Sequence, residues 1–162
     1  MKIFVSHSLK DKELLTAIQD NLGLHGFDLL IAKHTLEFNK SISEKIKGLI
    51  HQCDVGLIML TENGLNSSFV SEEIGYLEAK GKPIIRIIQK GLGNQYSGFK
   101  YGADYIEWDP DEPSSAHELL KQSMMKIDNK IKLDNRNALI FVAAIFFLLL
   151  TSEVESTEEK II

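Results

Sequence analysis

One cysteine, three prolines and no excess of basic charge in 162 residues remove several classes of protein at once. Cys53 alone forms neither an internal disulfide nor a cysteine-based zinc site. The amino terminus enters an apolar run at Lys2-Ile3-Phe4 without signal-peptide architecture, so a reducing compartment is expected. Few prolines, with 44% hydrophobic and 25% charged residues, exclude intrinsic disorder. With 18 Lys and Arg against 23 Asp and Glu, the formal charge is −5, and no cationic run exists to neutralise a phosphate backbone; nucleic acid is not an expected partner. Glycine is missing where phosphates would need it. Neither G-x-G-x-x-G nor G-x-x-x-x-G-K-[ST] follows the first apolar run, which excludes a Rossmann dinucleotide site and a P-loop. No serine stands in a G-x-S-x-G turn. No pair among His7, His25, His34, His51 and His117 has the i, i+4 spacing of a helical zinc site, so neither metal nor cofactor is expected.

What is present is alternation. The length fits one domain with a short appendage. Lys2 to Ser6 is an apolar run of β-formers, and Ser8-Leu9-Lys10-Asp11 has the Ser-x-x-Asp form of a helix cap. Leu14, Ile18 and Leu22 then repeat at helical spacing until Gly23 and Gly26. Phe27 to Ala32 reads as a second strand and Lys33 to Lys40 as a loop. Ser41-Ile42-Ser43-Glu44 is a full capping box, opening a helix with an apolar face of Ile42, Ile46, Leu49, Ile50 and Cys53. Val55 to Leu60 is apolar on both faces, as a covered central strand must be. Asn63 to Ser68 is turn chemistry before a helix from about Phe69 to Lys80, and Ile84 to Ile88 is a fourth strand. Tyr105 to Trp108 is a short edge strand, and Ser114 to Lys132 is helical. Strands alternating with helices imply right-handed crossovers and a parallel α/β sheet covered on both sides.

In such a sheet ligands bind beyond the carboxyl ends of the strands. Phe69, Glu73 and Leu77 share a helix face at i, i+4 and i+8, which sets an acid between apolar groups. The plainer alternative is that Glu72 and Glu73 are first-turn acids favoured by the helix dipole. Ser6, His7 and Ser8 end the first strand and face two readings, as ligands to a ribose or phosphate and as capping and turn residues. Cys53 reads as a buried small hydrophobe rather than a nucleophile. Arg86, inside an apolar strand, reads as the partner of a carboxylate before it reads as a phosphate contact.

Three segments together resemble the prokaryotic kind of Toll/interleukin-1 receptor (TIR) domain. They are Lys2-Ile3-Phe4-Val5-Ser6-His7-Ser8 with Lys10-Asp11, Phe69-Val70-Ser71-Glu72-Glu73-Ile74 against the W-V-x-x-E-I box, and Gly81-Lys82-Pro83-Ile84-Ile85. The resemblance covers residues 1 to about 90 and is architectural beyond. It implies a flavodoxin-like three-layer sandwich with five parallel strands in the order 2-1-3-4-5. It also implies NAD+ as substrate rather than cofactor, cleaved at the nicotinamide-ribose bond to nicotinamide and ADP-ribose or a cyclic product. Glu73 matches the essential glutamate, Phe69 the aromatic beside it, and Ser6, His7 and Ser8 become candidate substrate contacts. Other copies of the domain are the implied partners, and prokaryotic antiphage defence the implied setting. Two departures stand out: Phe69 replaces the usual tryptophan, losing an indole N–H, and Phe38-Asn39-Lys40 lacks a common Pro-Gly. The rival readings are an assembly module without enzymatic activity and an enzyme like the nucleoside deoxyribosyltransferases, which also set a glutamate at a glycosidic bond.

From Ala138 to Leu150 no residue is polar, with five Lys and Arg from Lys121 to Arg136 before the run and Glu153, Glu155, Glu158 and Glu159 after it. That charge asymmetry is the positive-inside pattern. The expected division is therefore a TIR domain over residues 1–132, a juxtamembrane linker over 133–137, a membrane-anchoring helix over 138–152 and an acidic tail over 153–162. The domain is then expected on the cytoplasmic side. Against this, thirteen helical residues span only about 20 Å, short of a hydrocarbon core of about 30 Å.

Overall fold

Five strands, Lys2–Ser6 (β1), Asp28–Ile31 (β2), Val55–Leu60 (β3), Ile84–Gln89 (β4) and Tyr105–Trp108 (β5), form one parallel sheet in the order β2-β1-β3-β4-β5. The structure, a computed structural model, describes residues 1–31, 41–96 and 105–158, with Ile42 and residues 141–158 as backbone only. The expected loop Lys33–Lys40, the strand end at Ala32, and Gly98 and Gly102 lie outside the described residues. Ile3 and Val5 of β1 pair with Val55 and Leu57 of β3, and Leu57 and Met59 continue to Ile85 and Ile87 of β4.

The all-apolar run Val55–Leu60 is central for a physical reason. On one face Phe4, Ile58, Leu60 and Ile88 pack with Ile46, Ile50, Val70 and Leu77 of the helices Ile42–Gln52 (α2) and Ser68–Ala79 (α4). Alternation turns Ile3, Val5, Leu57 and Met59 to the opposite face, and they are fully buried too, so both sides of the sheet are covered. At Gly56 a Cβ would meet a Leu77 methyl at 2.6 Å, so glycine there lets the helix lie close on β3.

Helix Lys12–Gly23 (α1) buries Leu14, Ile18 and Leu22 as its spacing requires. It starts later than the Ser8 cap implies. Asp11 stands at its N-cap without a capping bond, because its carboxylate instead accepts from Thr61 Oγ1 at 2.7 Å and Asn63 Nδ2 at 2.9 Å. The capping box of α2 forms as read, with Glu44 N–H donating to Ser41 Oγ at 3.1 Å and Ser41 N–H to Glu44 Oε2 at 3.0 Å. Where turn chemistry alone was expected, a one-turn helix Glu62–Leu65 (α3) precedes Ser68–Ala79 (α4), capped by Thr61, whose Oγ1 accepts from Gly64 N–H at 3.0 Å.

The last helix is Pro113–Glu158 (α5), which includes residues 133–137. The chain divides into two compact units, Met1–Ser123 and Met124–Ile162. The membrane anchor expected over 138–152 finds no support: among the described residues no helix is long and apolar enough to cross a membrane. A short span is the physical reason, as thirteen apolar residues cover about two thirds of a hydrocarbon core. From residue 141 onward the side chains of that segment lie outside the described part.

Candidate active site

Where β1 ends, its last residue lies under α4. Ser6 is fully buried, and its hydroxyl donates to Oε2 of Glu73, 67 residues away in sequence. Glu73 is 2% exposed. It stands in the second turn of α4, whose first turn carries no acid, so the helix-dipole explanation does not hold, since that field fades beyond the first turn. The other carboxylate oxygen, Oε1, is buried and has no hydrogen-bond partner among the described residues. Burial raises the Glu73 pKa to about 7; the Ser6 hydroxyl opposes the rise and neighbouring Glu72 adds to it.

Glu73 lines a groove of about 310 Å³ between α2 and α4, bounded by Ser43, Ile46 and Lys47 on one side and Phe69 and Tyr76 on the other. Phe69 is 44% exposed and lines the same groove as the carboxylate. Tyr76 is fixed by a 2.9 Å bond between its hydroxyl and His51 Nε2, with the Lys47 and Lys80 ammonium groups 5.8 and 5.5 Å from its ring centre. Two larger hollows, of about 440 and 490 Å³, lie along α3 and α4 beside Gln95 and Tyr96, and around Asp11, Thr61, Gln89 and Trp108. Glu73 lines neither.

The sequence-derived candidates separate in space. Glu73 and Ser6 are in direct contact and Phe69 shares the groove; Ser6 is fully buried and Glu73 nearly so. His7 is buried, with Nδ1 3.4 Å from the Val5 carbonyl, and burial lowers its pKa. Ser8 turns back on its own loop, its Oγ accepting from Lys10 N–H at 3.4 Å. Arg86 pairs with Glu78 at 3.0 Å, and Cys53 is buried with its thiol pKa raised by that burial. Among the described residues no group of three His, Cys, Asp or Glu is placed to hold a metal. Lys47 and Tyr76 are groove residues that the sequence reading missed. Tyr76 lies three residues beyond Glu73 on one face, a usable signal, whereas Lys47 reaches the site only through the packing of α2 on α4.

Strand order 2-1-3-4-5 with flanking helices defines a flavodoxin-like α/β domain, its buried carboxylate close to the point between β1 and β3 where strand order reverses. The chain belongs to the TIR domain family, whose sequence pattern matches residues 3–120. No curated protein matches it in sequence. Among solved structures it is similar to the CMP N-glycosidase BcmB of Clostridium botulinum, at TM-score 0.57 and 16% identity, over 76% of this chain and 99% of that one. It is also similar to the TIR domains of the activated Roq1 resistosome directly recognising the pathogen effector XopQ, at TM-score 0.58 and 11% identity, over 76% and 98%. Identities this low show a shared fold.

Proposed function

We propose that the chain is a TIR-domain glycohydrolase that cleaves the nicotinamide-ribose bond of NAD+, leaving ADP-ribose or a cyclic product, in prokaryotic antiphage defence signalling. One observation carries the proposal: a buried carboxylate whose Oε2 is held by Ser6 and whose Oε1 has no partner among the described residues, on a groove walled by an aromatic ring. As the bond between C1′ and the ring nitrogen breaks, its electron pair leaves with nicotinamide, which departs neutral and needs no acid to protonate it. The sugar becomes oxocarbenium-like, and the Glu73 anion stabilises that charge and orients the ribose hydroxyls. Water then adds at C1′ and releases a proton. In this scheme Phe69 supplies a flat apolar wall for a base.

The fold shared with a CMP N-glycosidase supports a second reading, in which the same carboxylate serves release of a base from a nucleoside monophosphate. A third, assembly without catalysis, draws on the fold shared with the resistosome TIR domains. One experiment separates the three: concentrated full-length protein is incubated with NAD+, with CMP and with a deoxyribonucleoside, and released base is measured. Nicotinamide from NAD+ alone is the expected result. Cytosine from CMP, or base from the deoxyribonucleoside, would transfer the assignment to the second class; no release from any of the three would leave assembly.

A further inference from the structure

We infer that Ser6 is a positioning residue: its buried hydroxyl holds Glu73 through Oε2 and fixes that carboxylate at the wall of the groove. The consequence for turnover rests on the glycohydrolase reading, while the positioning itself is read without it. Three observations combine. Ser6 is wholly buried with its hydroxyl proton committed to Glu73, whereas Glu73 keeps one oxygen without a partner among the described residues. Its bond to Glu73 is buried and joins the end of β1 to the second turn of α4, so it fixes the acid relative to the sheet. Finally, a serine that donates to one oxygen favours the charged form and leaves the second oxygen, also buried, without a protein partner. A hydroxyl bonded to a carboxylate forms a charge-assisted bond, stronger than a neutral pair.

The surroundings give Glu73 little other help. From its own helix Glu72 opposes ionisation. From α2 the ammonium of Lys47 lines the same groove but lies near the Tyr76 ring, and at the end of β1 burial lowers the pKa of His7. Glu62, the charged residue of α3, lines a different hollow, and β3 contributes apolar side chains alone. Ser6 is thus the one polar group, among the described residues, that bonds to the carboxylate.

The test uses the full chain with carboxyl carbons labelled and follows the Glu73 resonance against pH in wild type, Ser6→Ala and Ser6→Thr. In Ser6→Ala the midpoint should rise by about one pH unit, and in Ser6→Thr, which keeps the hydroxyl, it should return toward wild type. In nicotinamide release, the acid limb of the Ser6→Ala profile should move up equally. Turnover would then drop about fivefold at neutral pH and recover on the alkaline side. Equal midpoints in wild type and Ser6→Ala would overturn the inference. Shifted midpoints without nicotinamide release in any variant would uphold the positioning and refute the NAD+ reading. Should Ser6→Thr fail to fold, the midpoint of Ser6→Ala decides alone.

Discussion

A buried glutamate in a helix pressed against a sheet is costly to ionise, and Glu73 carries that cost at the groove. With its pKa raised to about 7, the stability given by the protonated form is complete below the ordinary carboxyl range near 4.5 and is lost as pH rises through 7. Glu73→Gln cannot ionise and keeps an oxygen for the Ser6 hydroxyl. It should therefore match wild type in thermal unfolding at about pH 4 and exceed it at about pH 8.5, by on the order of 1 to 3 kcal/mol. Coincident melting curves at the higher pH would show that the carboxylate is not held in this environment. The same variant should lose nicotinamide release. Phe69→Trp should retain turnover and Phe69→Ala lose most of it, because the half-exposed ring lines the carboxylate's groove. Equal NAD+ turnover by Phe69→Ala and wild type would reduce the ring to a packing role. The spacing of Phe69, Glu73 and Leu77 made the acid conspicuous in the sequence. Its depth did not show there, because Ser6, 67 residues earlier, is what meets it.

At the level of elements, local rules are legible wherever their partners are local. The capping box at Ser41 and Glu44 lies within four residues and forms as written; Ser41→Ala should cost about 1 kcal/mol, seen as a lower unfolding midpoint in denaturant. Val55–Leu60 announces its central place because every residue in it is apolar. By contrast, the start of α1 is displaced because Asp11 bonds across to Thr61 and Asn63, partners that no local pattern reveals. Gly64 belongs to the same junction. A Cβ there would sit 2.3 Å from the Met59 carbonyl oxygen, a backbone atom with no freedom to withdraw. Gly64→Ala should thus destabilise by roughly 2 kcal/mol or more, despite the usual helical advantage of alanine. A Gly64→Ala protein that melts with wild type would show that the β3–α3 turn relaxes freely.

Across the whole chain, the alternation of strand and helix led to the sheet order once the family resemblance joined it, whereas the groove between α2 and α4 shows only in their packing. The apolar segment Ala138–Leu150 is equally plain in the sequence, but its uniform apolarity suggests an anchor that thirteen residues are too short to form. Family resemblance also predicts that copies assemble. Specific activity should then rise steeply with protein concentration, and a dilute monomer with undiminished turnover would argue against assembly as the control. The most direct test of the central claim compares nicotinamide release from NAD+ by wild type and Glu73→Gln, each at high concentration and shown to be folded. The account predicts release by wild type and none above background by the variant; equal release by both would contradict it.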